Sequence, residues 1–158
     1  MAESILRTTH LTPDGEAAVG RIAIWAAAAE RNLVDLISFL EGTDLATNRK
    51  NVTLTASASV KKNRILVRDS PVLLSDEQSE VYGVLDNVGE LLRERNAVIH
   101  AMVGTSAEAG AATFRSPRGN PDRTLTVDDL AHLAERLNEA AWQVFDCQVL
   151  VARANGRG

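Results

Sequence analysis

A chain of 158 residues, 45% hydrophobic and 24% charged, has the size and balance of one globular domain with its own core; two ordinary domains and global disorder are both excluded. Its net charge of −4 excludes a protein that coats nucleic acid through a global positive field, while leaving room for a local basic cleft. The lone cysteine, Cys147, excludes an intramolecular disulfide, Cys/His clusters with zinc spacing are absent, and aromatics at 4% make the core aliphatic and alanine-rich.

Residues 1–12 carry Glu3, Arg7 and threonines with little periodicity and no apolar signal region, so they read as a flexible arm. The longest apolar run, Ile22 to Ala29, is far shorter than the roughly 20 residues that span a bilayer. A reducing cytoplasm is therefore the expected location, with no membrane partner. The domain itself is expected over 13–153, with 154–158 as a flexible tail.

Thr12-Pro13-Asp14 is a helix start, in which Thr12 caps the free N–H groups, Pro13 takes the first helical position and Asp14 and Glu16 suit the positive end of the dipole. Val19, Ile22, Ala26, Leu33, Leu36, Ile37 and Leu40 then recur at helical spacing as far as Gly42, a C-terminal stop. Trp25 and Phe39 add bulk, and Ala26 to Ala29 permit another helix to approach closely. Across Thr43 to Asp69 two patterns compete. Val52 to Thr55 alternates like a strand, but Leu54, Ala58 and the following lysines favour a short helix over Asn48 to Val67. Arg49, Lys50, Lys61, Lys62, Arg64 and Arg68 make this a basic patch that the net charge hides.

Ser70-Pro71 breaks the chain. Ser75-Asp76-Glu77-Gln78 reads as a capping box with Ser75 as cap and Gln78 reaching back. The helix it opens carries a core stripe of Val81, Val84, Leu85, Val88, Leu91, Leu92, Val98 and Ile99, and Gly104 is its expected end. The turn-rich stretch from Thr105 to Thr124 is a long loop or a short hairpin that pairs Thr113-Phe114-Arg115 with Arg123-Thr124-Leu125. A last helix opens at Thr126 and buries Leu130, Leu133, Leu137, Ala140, Ala141, Val144, Phe145, Val149 and Leu150 before Gly156. The fold class that follows is all-α: an antiparallel bundle of four to five helices with a long loop or short hairpin before the last.

Arg93 to His100 is the stretch where chemistry concentrates. Arg grips phosphate with paired N–H donors, and His moves protons near neutral pH. At about 100° per residue, Arg93, Asn96 and His100 share one side of the helix, whereas Arg95 is offset from His100 by about 140°. Arg95 and His100 of one chain meet only if the helix loosens near Ala101 or a second copy completes the cleft. The plain alternative is an exposed helix end whose late arginines suit the dipole.

Arg95-Asn96-Ala97-Val98-Ile99-His100 resembles the signature of the HEPN superfamily: an Arg, an adjacent polar residue, and a His a few positions on, at the end of a long helix in a small helical chain. The resemblance extends in layout from about Pro13 to Arg153. It implies a metal-independent endoribonuclease of toxin, phage-defence or RNA-processing type, working as a homodimer that brings two motifs into one cleft. Arg95, Asn96 and His100 would be its catalytic residues, without cofactor or metal. Arg93, Lys61, Lys62, Arg115 and Arg118 would contact the RNA substrate, and an antitoxin or other protein partner is a further implication. HEPN toxins paired with a nucleotidyltransferase antitoxin commonly carry a Tyr two positions after the His. Here that position is Met102, which gives modification by that route no support. Other members serve as non-catalytic dimerisation or RNA/protein-binding modules, and the acidic balance keeps that role in view.

Overall fold

The computed structural model describes residues 11–51, 53–105, 111–115 and 121–157. Helix α1 (Pro13–Glu41) begins as the sequence predicts: Thr12 Oγ1 accepts from the Gly15 N–H at 3.1 Å, and Gly42 closes the helix with φ 65°, a left-handed conformation that glycine takes without steric cost. Ala18, Ile22, Ala26, Ala29, Leu33 and Leu36 on one stripe are buried.

The expected single helix over Asn48 to Val67 is corrected to two. Asp44 accepts from the Thr47 N–H at 2.8 Å and starts α2 (Leu45–Asn51) ahead of the expected boundary. Thr55 then caps a new helix, α3 (Ala56–Arg68), by accepting from the Ala58 N–H at 3.3 Å. Two capping side chains thus divide what hydrophobic spacing alone had joined. The buried Asn48 amide donates to Val34 O at 2.8 Å, tying α2 back against α1, and the wholly buried Asn63 does the same for α3 through Leu33 O at 2.9 Å.

Helix α4 (Ser75–Ile99) opens one residue earlier than its expected capping box. Leu74 occupies the cap position and Glu77, not Gln78, reaches back to its N–H at 2.9 Å; Gln78 donates to Val67 O at 3.1 Å and holds α3. The far end is corrected too. The helix stops at Ile99 with His100 as its cap, and Gly104 lies in strand β1 (Met102–Thr105).

The expected hairpin is present, with Thr113 opposite Thr124 and Phe114 opposite Arg123, between β2 (Ala111–Arg115) and β3 (Arg123–Thr126). Strand β1 adds to β2 to give an antiparallel sheet in the order β1-β2-β3. Ala112 and Phe114 alternate inward, and Phe114 is the one aromatic among the largest fully buried side chains of the described residues.

Helix α5 (Val127–Asn155) begins in a reciprocal box: Thr126 accepts from the Asp129 N–H at 3.1 Å while Asp129 accepts from the Thr126 N–H at 2.8 Å. It runs two residues into the segment expected as a tail, and Ala154 is buried. Phe145, expected in the core, is instead 43% exposed and meets the exposed Trp142 edge to face.

The result is a helical bundle. Asn32 donates to Ala141 O and accepts from Gln148, and Asn155 donates to Phe39 O, so α5 runs alongside α1 in the same direction. Arg136 meets Glu94, Asn87 meets Gln143 and Arg157 meets Glu77, so α4 runs opposite to α5. Ala26 and Ala29 of α1 and Ala140 and Ala141 of α5 are all buried, the small side chains that close helix packing requires. No helix of the described residues is long and apolar enough to cross a membrane.

Candidate active site at the end of helix α4

The last two turns of α4 are fixed by consecutive residues that reach in different directions. Glu94 accepts from both terminal nitrogens of Arg136 on α5, at 3.3 and 3.4 Å. Arg95 turns to α1 and pairs through Nη2 with Glu30 Oε1. Helix α4 is thereby tied to both of its long neighbours at the level of the motif.

Arg95 is only 14% exposed, and its Nε is buried without a hydrogen-bond partner among the described residues. Burial pushes the guanidinium below its ordinary pKa. An arginine guanidinium keeps its proton at neutral pH even so.

Arg93 and Asn96 face outward. The Arg93 side chain is 77% exposed, and its nearest carboxylate, Glu90, is 4.0 Å away. Asn96 is exposed and lines a groove between α3 and α4. His100 is exposed at the helix cap, where its N–H donates to Asn96 O at 3.2 Å. The backbone leaves helical geometry there (φ −98°, ψ 4°), and the Ala101 N–H reaches Val98 O at 3.4 Å as the turn tightens. The helix remains regular through Ile99, so Arg93, Asn96 and His100 share the outer face and Arg95 lies around the barrel of the helix from them.

The other candidates are scattered. Arg115 ends β2 opposite Met102, which places its backbone about 5 Å from a residue two positions beyond His100. Its exposed guanidinium lies 3.8 Å from Asp122. Lys62 is paired with Glu41 at 2.7 Å near the end of α1, and Lys61 is exposed on α3. Arg118 lies outside the described residues.

Glu30 is the site residue that sequence reasoning missed. Its signal was positional: it follows Ala26 by one turn at the edge of the buried stripe of α1, where a carboxylate calls for a cationic partner. Among the described residues no group of three or more His, Cys, Asp or Glu side chains is arranged to hold a metal ion. No family model matches the chain, and neither the curated proteins nor the solved structures provide a match.

Proposed function

We propose that the chain is a HEPN-like, metal-independent endoribonuclease that acts as a cytoplasmic homodimer, of the toxin or phage-defence kind. The observation that carries this reading is the outer face of α4, where Arg93, Asn96 and the exposed His100 lie together at the end of a helix anchored on both sides. In the proposed reaction the ribose 2′-oxygen attacks phosphorus and the bond to the 5′-oxygen breaks. His100 accepts the 2′ proton or delivers one to the leaving oxygen, arginine stabilises the charge that gathers on the phosphoryl oxygens, and Asn96 orients the scissile group. The products are a 2′,3′-cyclic phosphate and a 5′-hydroxyl. Because Arg95 lies on a different side of α4 from His100, a second copy would supply the complementary half of the cleft.

Incubation of the purified protein with total RNA in EDTA tests this directly. Cleavage that disappears in His100→Ala and Arg95→Ala while both variants remain folded supports it; cleavage that survives both changes overturns it.

The pairing of Arg95 with Glu30 favours a second reading, a non-catalytic dimerisation or RNA/protein-binding module in which Arg95 serves the bundle. Under that reading the protein leaves all RNA intact and the same substitutions weaken self-association.

A further inference from the structure

The groove beside Asn96 has a chemistry of its own. It holds a cavity of about 200 Å³ between the first turns of α3 and the second half of α4. An apolar cavity of about 150 Å³ accepts one benzene ring, so this space suits one heteroaromatic base and not a longer ligand. Val60, the almost wholly buried Leu92 and Gly89 line it, and a Cβ at Gly89 would meet Val60 Cγ1 at 3.8 Å. At one end stands Asp86, whose Oδ1 is held by Arg64, itself lying over the Tyr82 ring at 5.1 Å. At the other end are Arg93 and Asn96.

We propose that this groove is a guanine-binding subsite that selects the nucleotide next to the bond cut at His100; the link to cleavage rests on the ribonuclease reading above. The groove offers an acceptor, the Asp86 carboxylate, and a donor, the Arg93 guanidinium; a base edge can answer both, whereas phosphate oxygens only accept. An ionised carboxylate only accepts, and guanine alone among the four bases presents two adjacent N–H donors, N1 and N2, on its pairing edge. Uracil presents a single donor between two carbonyls, while adenine and cytosine each set a ring nitrogen lone pair beside their amino group. Arg93 lies seven residues beyond Asp86, about 10 Å further along the same face, and arginine is the side chain suited to guanine O6 and N7. Val60 and Leu92 would give the ring its apolar contact.

The test has two arms. In the first, guanosine and uridine are titrated into the full-length protein while the backbone amides of Ser57 and Gly89 are followed by NMR. Guanosine is expected to shift them and to bind about tenfold or more tighter than uridine. Asp86→Asn should erase that difference, and Gly89→Ala, which adds a methyl group at ordinary contact distance, should weaken guanosine. Equal binding of the two nucleosides, or no shift of these amides, overturns the subsite. In the second arm cleavage sites in RNA are mapped. His100-dependent cutting without guanine preference overturns the subsite while leaving the ribonuclease standing. Guanosine binding at the groove in a protein that cuts no RNA removes the ribonuclease and retains the subsite.

Discussion

Glu30 on α1 receives the guanidinium of Arg95 on α4, so the first residue of the Arg-to-His motif is drawn into the bundle while its last, His100, stands in solvent. Removing either partner leaves a poorly hydrated charge, yet the half-exposed Glu30 carboxylate tempers the cost. Glu30→Gln is expected to destabilise the fold by about 1–2 kcal/mol. A double-mutant cycle with Arg95→Met, read by urea unfolding, should return a coupling of about 1 kcal/mol. Additive single effects would mean that the pair contributes nothing.

Arg93 and Arg95 should separate in their phenotypes. Arg95→Ala is expected to lose both stability and RNA cleavage, because its guanidinium joins two helices. Arg93→Ala, in an exposed residue, should change unfolding free energy by no more than about 0.5 kcal/mol while reducing cleavage. Parallel melts and cleavage assays give the comparison; a destabilised Arg93→Ala would contradict the exposed position described for it.

Acid should loosen the helix starts. The Thr47 N–H holds the Asp44 carboxyl below the usual carboxylate value, Arg157 and then the Leu74 N–H do so for Glu77, and the Thr126 N–H does so for Asp129. A carboxyl whose folded pKa lies below its unfolded one stabilises the fold fully above the unfolded value, near 4, and that stabilisation is lost as pH falls through the folded value. Thermal melts are expected to be level from about pH 7 to 5 and to fall below about pH 4. Asp129→Asn, whose amide oxygen can still accept the Thr126 N–H, should flatten part of the decline.

Cys147 should resist alkylation. Burial, with smaller effects from Glu80 and Asp146, pushes its thiol up to about 12, so thiolate is scarce at neutral pH and the sulfur is sheltered. Iodoacetamide at pH 8 is expected to leave the native protein unmodified and to label it after denaturation, as read by mass spectrometry. Rapid labelling of the native chain would show that this part of α5 opens.

What the sequence made legible followed physical rules of different reach. Thr12 and Gly42 mark the limits of α1 because capping depends on a few local atoms, and the β2–β3 hairpin, though not its register, followed from the turn residues between two short runs. The break at Thr55 was obscured because Leu54 and Ala58, four residues apart, are spaced as on one helix. The end of α4 was misplaced at Gly104 because strand pairing with Ala111–Arg115, a longer-range interaction, takes over at Met102. At the site, spacing alone placed Arg93, Asn96 and His100 on one face and Arg95 elsewhere. It gave no account of Glu30, because a partner 65 positions away is invisible to periodicity. Phe145 was read as core for the same reason: which helix face is covered depends on neighbours that one helix does not specify.

The adjacent ties from Glu94 to α5 and from Arg95 to α1 also set a rule for the length of α4. Each added residue rotates everything beyond it by about 100°, so one insertion between Ser75 and Arg93 would swing both anchors away from their partners and carry His100 with them. Seven residues restore the phase to within about 20°. Such a heptad insertion would keep the angular orientation of the motif while moving it about 10 Å along the helix. The span from Ser75 to His100 thus acts as a ruler on which angle and axial position must both be kept, and His100 is the mark it sets.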